Sequence, residues 1–248
     1  MKKTLLALAL AVAAGGAQAV NTVPGAISLY DLIYDDPNNV TSITAGDKVF
    51  SQWKQTFFGA SDPQGAIQLN NIFVTPLSDG GDNPGPGINI DFTDQMTVTG
   101  DGVYAYRDFT IEFNVSTIGS KQIKDNLLDF GNPPSVLTWT VDGLNDLGIA
   151  VEEWVYDLQG NQLAHKFIEF SVLDDVQTRN WPDSAAFAPQ DEIRVKKNFL
   201  VWSMDVTDTA TLGGIEQRFS QQDVPEPASL ALLSLGLFGI GVARRRRS

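Results

Sequence analysis

The clearest pattern along the chain is strict alternation. In Phe109-Thr110-Ile111-Glu112-Phe113-Asn114-Val115 every odd position is apolar and every even one polar. A pleated strand sends successive side chains to opposite faces, so this segment reads as a half-buried strand. Ile88-Asn89-Ile90-Asp91-Phe92 repeats the pattern. Further strands are predicted over 26–34, 47–58, 97–106, 135–141, 148–157, 162–173 and 211–220. Elsewhere the alternation changes parity. Ile67 and Leu69 give way to Ile72 and Val74, and Ile193 and Val195 to Leu200, Trp202, Met204 and Val206. One extra residue flips every later side chain, so β-bulges are expected near Asn70 and Lys197. Asp157-Leu158-Gln159-Gly160-Asn161 has the composition of a hairpin turn.

A helical period is found in one place. Ile123, Leu127 and Phe130 share a helical face, Ser120 stands where a cap belongs and Gly131 follows, which predicts one short helix over 120–130. Asp79–Gly87 and Asn180–Pro189 are rich in turn residues and are expected to be exposed loops. Many short strands with turns between them predict an all-β fold, an antiparallel β-sandwich of jelly-roll type, as one domain over residues 20–223.

The two ends break this pattern. Residues 1–19 run from Lys2 and Lys3 through the apolar Leu5–Ala14 to Ala17-Gln18-Ala19. A basic start, a short apolar run and small residues one and three before the cut describe a signal peptide, with cleavage between Ala19 and Val20 by signal peptidase. The last 25 residues, 224–248, have three parts: Val224-Pro225-Glu226-Pro227, the uncharged Ala228–Ala243, and Arg244, Arg245, Arg246 and Arg247 before Ser248. Prolines around one glutamate make an extended, accessible spacer. As a helix the apolar run would be about 24 Å long against a hydrocarbon core of about 30 Å, a marginal membrane span. Four arginines hold the far end on the cytoplasmic side and leave the body outside.

This C-terminal arrangement closely resembles the PEP-CTERM sorting signal of Gram-negative bacteria. The resemblance rests on Pro225-Glu226-Pro227, on an apolar helix containing Gly236, Gly239 and Gly241, and on the arginine cluster, roughly a tenth of the chain. It implies recognition by an exosortase, a membrane-embedded cysteine protease-transpeptidase, with removal of the tail near the motif. It further implies release or attachment at the surface, in company with exopolysaccharide and biofilm production.

Charge and composition narrow the chemistry of the body. Residues 20–227 hold 11 basic and 30 acidic side chains, a net charge of −19. Such a body repels phosphate backbones and anionic lipid, so nucleic acid is not an expected partner. There is no cysteine, which excludes disulfides, thiolate metal sites and cysteine nucleophiles.

Catalytic constellations find little support. The only histidine, His165, lies inside a predicted strand, and no Gly-x-Ser-x-Gly elbow accompanies it. Glu152 and Glu153 are adjacent on a strand and point to opposite faces, so they cannot flank one glycosidic bond. The chain therefore reads as a non-enzyme. No cofactor is expected, calcium being the one candidate ligand, at Asp79, Asp82 and Asn83 or at Asp142, Asn145 and Asp146. The competing reading of both groups is a solvated turn. Among the five tryptophans, Trp181 beside Pro182 in a predicted loop is the one placed to stack on a sugar ring. The leading expectation is a structural or adhesive exported protein of the surface or matrix. A carbohydrate-binding module is the alternative, and a secreted polysaccharide hydrolase ranks behind it.

Overall fold

A computed structural model describes residues 21–22, 25–34, 41–61, 64–140 and 145–223. In chain order its elements are β1 (Asn21–Thr22), β2 (Ile27–Ser28), α1 (Leu29–Tyr34), β3 (Thr41–Ala45), β4 (Lys48–Ala60), β5 (Phe73–Leu77), β6 (Gly87–Asp91), β7 (Thr97–Thr99), β8 (Ala105–Thr117), β9 (Lys121–Phe130), β10 (Val136–Thr138), β11 (Asp146–Tyr156), β12 (Gln162–Leu173), β13 (Val176–Asn180), β14 (Asp183–Gln190), β15 (Glu192–Ser203), β16 (Thr209–Thr211) and β17 (Gly214–Asp223).

Eight strands form one sheet in the order β1-β3-β4-β8-β15-β11-β12-β13, and six form a second in the order β14-β9-β17-β6-β5-β2. Pairing is antiparallel throughout except for the short β1–β3 contact. A small sheet, β10-β16-β7, closes one end. The inward faces interdigitate around aromatic rings. Phe50 of β4 meets Phe219 of β17 at 5.6 Å between centroids, and Phe92 meets Phe199 of β15 edge-on at 4.8 Å. All four are fully buried. Such pairs add about 0.5–1.5 kcal/mol each beyond the area they bury, a contribution that matters where no disulfide is available. The all-β antiparallel sandwich is as the alternation predicts.

Five local expectations are corrected. First, residues 121–130 form β9, not a helix. β17 pairs Gln221 with Ile123 but Ser220 with Asp125, so Lys124 is an extra residue in the ladder. That irregularity puts Ile123, Asn126 and Leu128 on the core face, and its spacing of three imitates a helical turn.

Second, the short helix is α1, inside the strand expected over 26–34. Its start carries a local cap: Ser28 Oγ accepts from the Asp31 backbone N–H at 3.1 Å and donates to Asp31 Oδ2 at 2.7 Å. The Ser28 hydroxyl thus caps a free N–H of the first turn, and Leu29 and Leu32 are the face the helix buries.

Third, 183–190 is the edge strand β14. Pro189 is tolerated there because an edge strand need not donate on its open side. Fourth, β15 has no bulge at Lys197. Its core face is the unbroken row Ile193, Val195, Lys197, Phe199, Val201 and Ser203. A lysine sits in the apolar register. Fifth, the parity change near Asn70 is made by a 3-10 turn, Leu69–Asn71, rather than a bulge.

The expected hairpin is present. β11 and β12 are joined through Asp157–Asn161, where Asp157 accepts from the Asn161 backbone N–H at 2.8 Å. The expected terminal helices, the cleavage residues Ala17, Ala19 and Val20, the motif Val224–Pro227 and the arginines Arg244 to Arg247 lie outside the described residues.

Candidate functional site

At one end of the sandwich the three sheets meet around a groove of about 530 Å³. Its lining combines Phe130 and Gly131 at the end of β9, Pro134 and Ser135 in the following turn, Val136 and Leu137 of β10, Trp139, Phe170 of β12, Gln177 and Arg179 of β13, and Trp181. Two runs build it. Gln177, Arg179 and Trp181 alternate along an extended edge and present one face to the groove, while the segment Pro134–Leu137 with Trp139 lines it more continuously.

The aromatic rings hold one another in place. Trp181 stands edge-on to Phe130 at 5.1 Å and tilted to Phe170 at 5.4 Å. Arg179 is the cross-strand partner of Phe170. Its guanidinium lies 5.3 Å from the Phe170 ring centre and 5.9 Å from that of Trp181, within the range of cation–π attraction. The Arg179 Nε–H also donates to Gln177 Oε1 at 2.9 Å. Trp139 and Trp181 are half-buried, with Gln177 and Arg179 exposed beside them. The groove thus offers flat apolar faces with polar donors and acceptors at their rim. No aspartate or glutamate is part of its lining.

Trp181 is where the sequence places the strongest stacking candidate, although the segment that carries it is an edge between two strands. Trp139, Phe130, Phe170, Gln177 and Arg179 complete the site and are not singled out by the sequence. The other three tryptophans do not reach it. Trp53 is buried against Phe113 at 4.4 Å, Trp154 packs beside His165, and Trp202 donates to Asp146 Oδ1 at 2.8 Å.

The calcium candidates have other partners. Asp79 takes Arg218, and Asp82 takes Lys121 at 2.5 Å and Gln221 Nε2 at 2.9 Å. Those bonds hold the Asp82 carboxyl below its ordinary pKa, the Lys121 contact first. Asn83 accepts from Ser220 Oγ at 3.0 Å, and Asn145 donates to Asp208 and to the Thr140 carbonyl. Asp142 lies outside the described residues. Among those described, no three acidic or histidine side chains converge as a metal site.

Glu152 and Glu153 do face opposite ways. Glu152 is half-buried on the outer face and meets His165 Nε2 at 2.7 Å. Glu153 is fully buried between Lys166 and Lys197.

No curated protein matches the chain. Among solved structures it is similar to the enzymatically active domain of tailspike protein 4 from bacteriophage CBA120, at 16% identity and TM-score 0.23 over 69% of this chain and 19% of that one. It is also similar to TmCBM27, a carbohydrate-binding module described for specific mannan recognition, at 9% identity and TM-score 0.27, covering 68% and 86% of the two chains. A third similarity is to the CBM22-1 xylan-binding domain of Paenibacillus barcinonensis Xyn10C, at 11% identity and TM-score 0.19, covering 65% and 85%. TM-scores this low carry no argument about ligand or activity. The family model of the PEP-CTERM protein-sorting motif matches residues 223–247, and the chain therefore carries the sorting signal of an exported protein.

Proposed function

We propose that this exported chain is a non-catalytic polysaccharide-binding protein of the cell surface or matrix. In this reading its two ends are processed by signal peptidase and an exosortase-like membrane protease, and the groove around Trp139 and Trp181 holds exopolysaccharide. The observation that carries the reading is the groove's composition: four aromatic rings, Phe130, Trp139, Phe170 and Trp181, with Arg179 and Gln177 beside them. The C–H faces of a sugar ring are apolar and pack on aromatic planes, while its hydroxyls need fixed donors and acceptors at the edge. The volume also falls in the usual range for ligand pockets, about 300–1,000 Å³.

Hydrolysis of a glycosidic bond would need two carboxylates across the substrate, and the lining supplies none. Binding is proposed to be independent of calcium, since Asp79 and Asp82 spend their oxygens on Arg218, Lys121 and Gln221. A glycan array on residues 20–223, run with calcium and with a chelator, tests both points. The expected result is retention of at least one polysaccharide class under both conditions, reduced by Trp181→Ala and by Trp139→Ala. An array on which nothing binds, or variants that bind as well as the parent, would overturn the reading.

A further inference from the structure

The core contains a charged cluster that the groove does not use. Glu153 of β11 has Lys166 of β12 and Lys197 of β15 as its direct cross-strand partners. The side chains of all three are fully shielded from solvent. From the facing sheet, Asn126 of β9 and Gln217 of β17 reach the same spot and are equally buried. Asn126 Nδ2 donates to Glu153 Oε1 at 2.6 Å. The Lys197 amine touches both Glu153 Oε2 and the carboxamide oxygen of Gln217. The Gln217 Nε2 group has no hydrogen-bond partner.

One carboxylate cannot neutralise two ammonium groups, and an uncompensated buried charge is expensive. Burial pushes both lysines well below their ordinary pKa, which favours the neutral amine, the form with a nucleophilic lone pair. Here that amine lies against a carboxamide in a dry site, and two packed sheets fix the approach. Orientation of this kind replaces a bimolecular encounter.

We propose that Lys197 and Gln217 form an intramolecular isopeptide bond, with Glu153 as the proton carrier. The Lys197 Nζ lone pair attacks Cδ of Gln217, and the carbonyl electron pair moves onto Oε1. Glu153 takes one proton from Nζ. As the pair on Oε1 re-forms the carbonyl, the Cδ–Nε2 bond breaks, and Nε2 leaves with the proton from Glu153 as ammonia. One amide and one ammonia replace one amine and one carboxamide, with no oxidant or cofactor required. The bond ties β15 of the eight-stranded sheet to β17 of the six-stranded sheet. It supplies a covalent staple to a chain without cysteine.

A second lysine–glutamine contact, Lys48 with Gln221, lacks these conditions. Lys48 is buried too, but its acid Asp47 is partly open to solvent and Asp82 beside Gln221 is largely exposed, whereas Glu153 is fully shielded. No bond is expected there.

The test is tandem mass spectrometry of the full chain, denatured and digested. The expected finding is a branched peptide whose mass is that of its two strands less one ammonia, with fragmentation locating the junction at Lys197 and Gln217. The branched peptide should vanish in Lys197→Arg and Glu153→Gln. The unsubstituted chain decides the matter even if those variants fail to fold. Recovery of Lys197 and Gln217 only in linear peptides would overturn the proposal, and so would a junction at any other pair.

Discussion

At the residue scale, Glu153 governs the charged core and Trp181 the groove. Among the described residues, Glu153 is the one carboxylate that pairs with both Lys166 and Lys197. Glu153→Ala would leave two buried amines without their shared hydrogen-bonding carboxylate and should cost about 3–5 kcal/mol. Lys166→Met removes one buried amine and keeps the volume, so it should cost far less. Urea unfolding of the two variants checks the order, and equal losses would contradict the account of the cluster. In the groove, Trp181→Ala should weaken polysaccharide binding roughly tenfold, about 1.4 kcal/mol, the scale of an aromatic anchor. Isothermal titration reads this directly.

A third residue-scale expectation concerns pH. The Asp82 pKa is lowered from 3.8 by Lys121 and then by Gln221. A lowered carboxyl pKa contributes stability that is present above its unfolded value and is lost as pH falls through its folded value. The Asp82–Lys121 contact should therefore persist to pH values below 3.8. NMR titration of the carboxyl carbon should give a midpoint under that value, returning towards it in Lys121→Ala. Asp82 is too exposed for this contact to carry much of the fold, in keeping with the small worth of surface ion pairs.

At the scale of elements, the ladders with clean alternation are the ones legible in the sequence. β6, β8, β11 and β12 fall where the period of two predicts them. The exceptions each have a local cause. β9 is concealed by the extra residue at Lys124, and α1 by a cap from Ser28, a residue that also ends β2. β14 is concealed by Pro189, which an edge strand tolerates. In β15 a lysine occupies a core position, which breaks the apolar pattern without breaking the strand. The groove was partly legible for a similar reason. Trp181 stands out beside Pro182, but Gln177 and Arg179 lie on the fully exposed β13, where polar residues carry no signal of function. Their spacing of two with Trp181 is the pattern that marks them.

Element contacts also predict where the sandwich resists change. A Cβ added at Gly87 would fall 1.8 Å from the Gln217 carbonyl oxygen, whereas one at Gly81 meets nothing within 4 Å. Gly87→Ala should push β6 off β17 at a cost of about 1–3 kcal/mol. Gly81→Ala should stay within about 0.5 kcal/mol of the parent. Chemical denaturation of the pair tests the packing of the six-stranded sheet.

At the scale of the whole molecule, the groove belongs to no single element. Its walls come from β9, β10, β12 and β13, and so from all three sheets. Only the complete sandwich brings Trp139 to Trp181. The sorting signal at residues 223–247 marks that sandwich for export, which on the proposed reading brings it to polysaccharide. Mass spectrometry of the mature C-terminus should find Arg244 to Arg247 removed, and a pool of intact arginine-terminated chains would contradict processing.

The most direct test of the central claim is affinity electrophoresis of the Trp139→Ala, Trp181→Ala double variant through gels containing the producing cell's own exopolysaccharide. The parent should be retarded in proportion to polysaccharide concentration, and the double variant, with an unchanged circular dichroism spectrum, should run as if the polymer were absent. Equal retardation of the two proteins, or none of either, would contradict a polysaccharide-binding groove.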